Sequence, residues 1–118
     1  MKRILIGTLS AVVLVGFAAA ASAQDAKIAK GQKLFTDQKC TLCHSIEGKG
    51  NAKGPLDGVG SKLSADEIRQ WITDPATMAT KAKADRKPAM STMAAKYKAL
   101  SKDDVDALVA YLSSLKKK

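Results

Sequence analysis

Both cysteines and the single histidine of this 118-residue chain fall inside five residues, Cys40-Thr41-Leu42-Cys43-His44. That cluster constrains the fold more than any other feature, because little else in the sequence can hold so small a chain together. The chain opens MKRILIGTLSAVVLVGFAAAASAQ. Lys2 and Arg3, an apolar run and then Ala21-Ser22-Ala23 make the pattern of a secretory leader with a small-residue cleavage site. Residues 1–23 are read as leader and 24–118 as one domain. The competing reading is an uncleaved anchor from Ile4 to Ala20. Cleavage implies a periplasmic protein with no stable membrane insertion. It removes two of the twenty basic residues and none of the eleven acidic ones, so the domain stays clearly basic. Its aromatic side chains are Phe35, Trp71, Tyr97 and Tyr111. So few large side chains build a thin core, and a domain of this size normally needs a covalent staple or a bound group.

Ile28, Gly31, Leu34 and Phe35 recur at helical spacing and predict a first helix from about Ala26 to Phe35. After the cysteine segment, glycines at 48, 50, 54, 58 and 60 with Pro55 predict irregular chain, of a length that normally wraps something. Ser64-Ala65-Asp66-Glu67 fits a capping box, opening a helix with Ile68, Trp71 and Ile72 on one side that stops before Pro75. Ser101-Lys102-Asp103-Asp104 fits a second box, opening a last helix with Val105, Leu108, Leu112 and Leu115 on one side. The closing lysines suit the negative end of that helix. Between the two lies a segment with Met78, Met90 and Met93, helical in part near Met78. No stretch shows strand alternation, so the expected class is all-α, with three main helices and long loops.

Four chemistries use a Cys-x-x-Cys pair. Structural zinc wants four ligands, and this chain has three, all adjacent. A thioredoxin-like pair wants alternating strands and helices, which are missing. A disulfide across two intervening residues closes too small a loop to stabilise much, and leaves His44 unexplained. Covalent haem uses all three residues: Cys40 and Cys43 reach the two vinyl groups on one porphyrin edge, and His44, next in the chain, is held as the proximal iron ligand. A buried porphyrin also supplies the apolar surface that the core lacks.

With no second histidine, a methionine thioether is the natural sixth ligand. Met78, close behind the Ile68, Trp71 and Ile72 stripe, is read as core. That leaves Met93 and Met90. Across the whole mature chain the sequence resembles the class I c-type cytochromes, small carriers with one haem c. The resemblance rests on CTLCH, GPLDGVG, the Trp71 helix, a methionine loop and a last helix ending LVAYLSSL. It implies the small cytochrome c fold, and it implies that the Pro55 carbonyl accepts the His44 N–H. Gly31 and Tyr111 match the positions where the first and last helices cross, and Trp71 matches a position near a haem propionate, with a plain core role as its alternative. The family usually places proline directly after the ligand, whereas Met90 precedes Ser91 and Met93 precedes Ala94. Spacing to the Ser101 cap favours Met93, and Lys87-Pro88-Ala89-Met90 resembles a form seen in some members, keeping Met90 as the alternative.

With both axial positions filled there is no room for substrate, so the expected role is electron carriage, not catalysis. The alternative is a haem protein with an open or labile sixth site, for gas binding or weak peroxidase chemistry. Lysines from Lys27 to Lys98 surround the segments that would frame the haem. They suit redox partner proteins with acidic docking surfaces, since a positive field speeds such encounters. Nucleic acid is not an expected partner, and a monomer is.

Overall fold

The computed structural model describes the backbone of residues 9–117 and the side chains of residues 21–117. Residues 1–8 of the expected leader, and its side chains up to residue 20, therefore lie outside the described residues. In chain order the elements are α1 (Leu9–Asp37), a 3-10 turn (Cys40–Leu42), β1 (Ser45–Ile46), β2 (Lys49–Gly50), α2 (Val59–Lys62), α3 (Ala65–Thr73) and α4 (Pro75–Ala82). A second 3-10 turn (Met90–Met93), α5 (Ala94–Lys98) and α6 (Lys102–Ser113) complete them. The class is all-α as expected. Among the described residues no helix is long and apolar enough to cross a membrane.

The first helix is far longer than its apolar stripe, which marked only the part that packs. Ile28 and Leu34 are half-buried, and Gly31 and Phe35 buried. The alanine-rich stretch before Ala26 extends the helix because alanine is the strongest helix former. Gly31 lies against α6: a Cβ there would collide with the Ala107 carbonyl and come within 2.6 Å of Tyr111 Cβ. Only a residue without a side chain lets the two backbones approach so closely. One turn on, the Phe35 and Tyr111 rings meet edge to face, with centroids 6.0 Å apart. The core continues through Ile68 and Ile72 of α3 and Val105, Leu108, Val109 and Leu112 of α6.

Helix α3 begins at the full capping box, with the Ser64 hydroxyl accepting from Glu67 N–H and the Glu67 carboxylate from Ser64 N–H. Pro75 ends it and, as the first residue of α4, starts the next helix, with Asp74 capping both. Met78 of α4 is buried, in line with its reading as core. The second box is only half formed. Ser101 accepts from Asp104 N–H, but aspartate is one methylene shorter than glutamate, and Asp104 pairs instead with Lys30 of α1 at 3.1 Å. The C-terminal lysines also behave differently from expectation. The helix stops at Ser113, and Lys116 Nζ reaches the Gly60 carbonyl of α2 at 2.8 Å.

A short antiparallel ladder interrupts the segment expected to be irregular, pairing Ser45 with Gly50 and Ile46 with Lys49. Alternation cannot reveal strands of two residues. Its turn places Glu47 and Gly48 at φ 52° and 78°, the pair of positive φ values that a tight hairpin requires.

Two predictions follow from the packing. Gly31→Ala should destabilise the protein by about 1–3 kcal/mol, read from denaturant unfolding, because the methyl group forces α1 off α6. Asp106 of α6 receives Lys102 Nζ at 2.8 Å and Arg69 Nη1 of α3 at 2.7 Å, and these, Lys102 first, hold its carboxyl below the usual carboxylate range. A depressed folded pKa stabilises above the unfolded value, and that stabilisation is lost as pH falls through the folded one. Asp106→Asn should therefore lower the melting temperature at neutral pH, with the gap to wild type closing as pH falls through the carboxylate range.

Candidate functional site

The site begins where α1 ends. Lys39, left-handed at φ 59°, reverses the chain into the 3-10 turn of Cys40–Leu42. The Cys40 carbonyl accepts from both Cys43 N–H, at 3.2 Å, and His44 N–H, at 2.9 Å. In such a turn residues three apart eclipse one another, so the two sulfurs share a face and His44 follows within the same turn. Leu42 points outward and is 67 % exposed. Cys40 and Cys43 are free thiols, both half-buried. Among the described residues no group of three or more His, Cys, Asp or Glu converges as a bare metal ion would require. The donors are laid out side by side along one turn.

The following chain folds back over this turn. Asn51 donates its side-chain N–H to the Leu42 carbonyl at 3.1 Å and its backbone N–H to Thr41 and His44. His44 Nδ1 lies 3.1 Å from the Gly54 carbonyl. Since a carbonyl can only accept, Nδ1 carries the proton and Nε2 is left with its lone pair, the state in which imidazole binds a metal. Burial pushes the His44 pKa down, Gly54 pulls it back up, and the nearby Arg86 charge lowers it again.

The acceptor was expected at Pro55 and stands one residue earlier. Pro55 bridges Ser45 in parallel fashion, and in that register Ser45 N–H donates to Gly54 O at 3.0 Å and Leu56 N–H to Ser45 O at 2.8 Å. The carbonyl facing the imidazole is thus that of Gly54, accepting twice. Proline, with no N–H to satisfy, fits the intervening place. A Cβ on Gly54 would collide with the Arg86 guanidinium and the Cys43 carbonyl.

Met90 and Met93 open and close the second 3-10 turn, both half-buried against the same cluster on which Cys40 leans. Being three apart in such a turn, the two residues stand on one side of it. Trp71 is half-buried on α3 and lies outside that cluster. Residues that sequence reading did not single out also meet here. The Tyr97 hydroxyl faces the Cys40 thiol, and burial, first, raises both groups, Tyr97 to about 12. Lys96 Nζ reaches the Gln38 carbonyl at 2.8 Å. The one sequence signal for Tyr97 was a rare aromatic one helical turn after Met93; Arg86 and Lys96 were lost among many basic residues.

The donor set fits a haem: two thiols on one face of a turn, an imidazole with its outer nitrogen open, and thioethers half-buried against the same core. No solved structure matches the chain. It is 29 % identical over 96 residues to cytochrome c oxidase subunit 2 of Alkalihalophilus pseudofirmus, an alignment covering 74 % of this chain and 25 % of that protein. The chain thus spans about a quarter of that relative's length. Residues 28–116 match the family described as Cytochrome c, and the chain belongs to that family of haem-based electron-transfer proteins.

Proposed function

We propose that the protein is an exported single-haem electron shuttle of the periplasm. Cys40 and Cys43 would hold the haem through two thioether bonds, His44 would offer the iron its Nε2, and Met93, with Met90 as the alternative, would offer a thioether sulfur. The observation that carries this reading is the His44–Gly54 hydrogen bond, which fixes the tautomer and the ring plane and leaves Nε2 as the only nitrogen able to bind iron. Haem held this way supplies one-electron exchange between ferric and ferrous iron. Methionine opposite histidine favours the ferrous state, and the Arg86 charge beside His44 acts in the same direction, opposing a further positive charge on the iron.

The protein's own residues do the remaining work. Gly54 holds the imidazole, and Phe35 and Ile46 belong to the apolar cluster on which Cys40 and Leu56 pack. Trp71, half-buried and outside the core cluster, is the residue that the family resemblance puts beside a haem propionate. No step makes or breaks a bond, which is why the protein is read as a carrier and not as an enzyme.

Docking rests on charge. Lys30, Lys33 and Lys102 are taken up by Asp104, Asp37 and Asp106, and Lys96 and Lys116 by carbonyls. Lys39, Lys49, Lys53 and Lys87 are exposed in the segments around the cysteine turn and the Arg86 loop. That grouping suits an acidic face on the redox partner, with an association rate that falls as salt rises. The similarity to an oxidase subunit favours a respiratory oxidase as one such partner.

Two experiments test this. In protein matured with its haem, Met93→Leu should abolish the red sulfur-to-iron band of the ferric spectrum and lower the potential, while Met90→Leu keeps both. The reverse result moves the ligand to Met90, a band that survives in both single variants means that either sulfur can serve, and a wild type without the band contradicts a methionine ligand. Acid–ketone extraction should leave wild-type haem on the protein and strip it from the Cys40→Ala, Cys43→Ala double variant. Rapid carbon monoxide binding by the wild type would point instead to an open sixth site.

A further inference from the structure

The last turn of α1 contains no basic side chain, although the carbonyls that end a helix carry partial negative charge and lack intrahelical donors. The missing cation comes from a residue fifty-eight positions away. Lys96 Nζ donates to the Gln38 carbonyl at 2.8 Å in a partly buried setting. Gln38 is two residues ahead of Cys40, just where Lys39 reverses the chain. The next residue after Lys96, Tyr97, is 8 % exposed and belongs to the cluster against which Cys40 packs, its hydroxyl facing the thiol. Both residues sit in α5, a helix of five residues whose N-cap is Met93 and which directly follows the Met90–Met93 turn.

Alone, so short a helix is not stable, and the chain before it, from Ala84 to Ala89, carries no helix or strand. Segments of this kind open locally at low free energy unless something ties them down. Most surface lysines contribute little through their charge. Lys96 differs in being partly buried, in meeting a helix C-terminus, and in joining two segments far apart in sequence.

We propose that Lys96 is a positioning residue for the sixth ligand: by clasping the C-terminal end of α1 it fixes α5, and with it the methionine turn, against the cysteine segment. This rests on the histidine–methionine reading above. Without the clasp, the methionine turn drifts from the iron more often, and the sixth position becomes open to outside ligands.

The test uses the full chain matured with its haem, comparing wild type with Lys96→Met, Lys96→Arg and, as a charge control, Lys62→Met at an exposed position of α2. The readouts are carbon monoxide binding by the ferrous protein and the strength of the ferric sulfur-to-iron band. Lys96→Met should bind carbon monoxide roughly ten- to a hundredfold faster, the factor a charge-assisted hydrogen bond commands, with a weakened band. Lys96→Arg and Lys62→Met should match wild type. If Lys96→Met does not accumulate, Lys96→Gln, which keeps a donor and loses the charge, should also bind faster. Wild-type binding rates and an undiminished band in the Lys96→Met or Lys96→Gln protein overturn the proposal alone. A wild type that never shows the band overturns the histidine–methionine reading, and this inference with it.

Discussion

The close approach of α1 and α6 at Gly31 sets the position of everything that follows it. With no Cβ between the two backbones, Phe35 can meet Tyr111 one turn later, and α1 then ends at a definite height on the α6 surface. Cys40 lies nine residues beyond Gly31, so the cysteine turn inherits that height. The ladder at Ser45 and the Gly54 carbonyl are placed in turn by hydrogen bonds back to the cysteine turn. A small core suffices here because each contact is made by a residue whose place is already determined by the one before.

The chemistry is set by what surrounds His44. Burial and the Arg86 charge keep its imidazole neutral, and the Gly54 carbonyl, bound also by Ser45 N–H, settles which nitrogen is open. The methionine turn reaches the same region from the other end of the chain, joined to it through Lys96 and Tyr97. Ligands that approach from distant parts of the sequence need such ties, since loop entropy favours their separation.

Much of this was legible in the sequence, and for identifiable reasons. The Ser64 box, the Pro75 stop and the α6 stripe are local rules, in which neighbouring residues alone decide the structure. CTLCH was legible because its spacing is dictated by the geometry of a single turn. The acceptor for His44 was misplaced by one residue, because it depends on the register of the Ser45–Pro55 bridge, a tertiary fact. Asp104 looked like half of a second box, yet it pairs with Lys30 on another helix. Lys96 was one lysine among many, and only the fold shows that it meets a helix end. Met90 and Met93 share one face of one turn, so neither spacing nor placement separates them, and chemistry must.

The most direct measurement is the intact mass of protein purified from cells that can mature c-type haem. The account predicts the polypeptide plus one haem, retained under denaturing conditions. A mass equal to the polypeptide alone would contradict it.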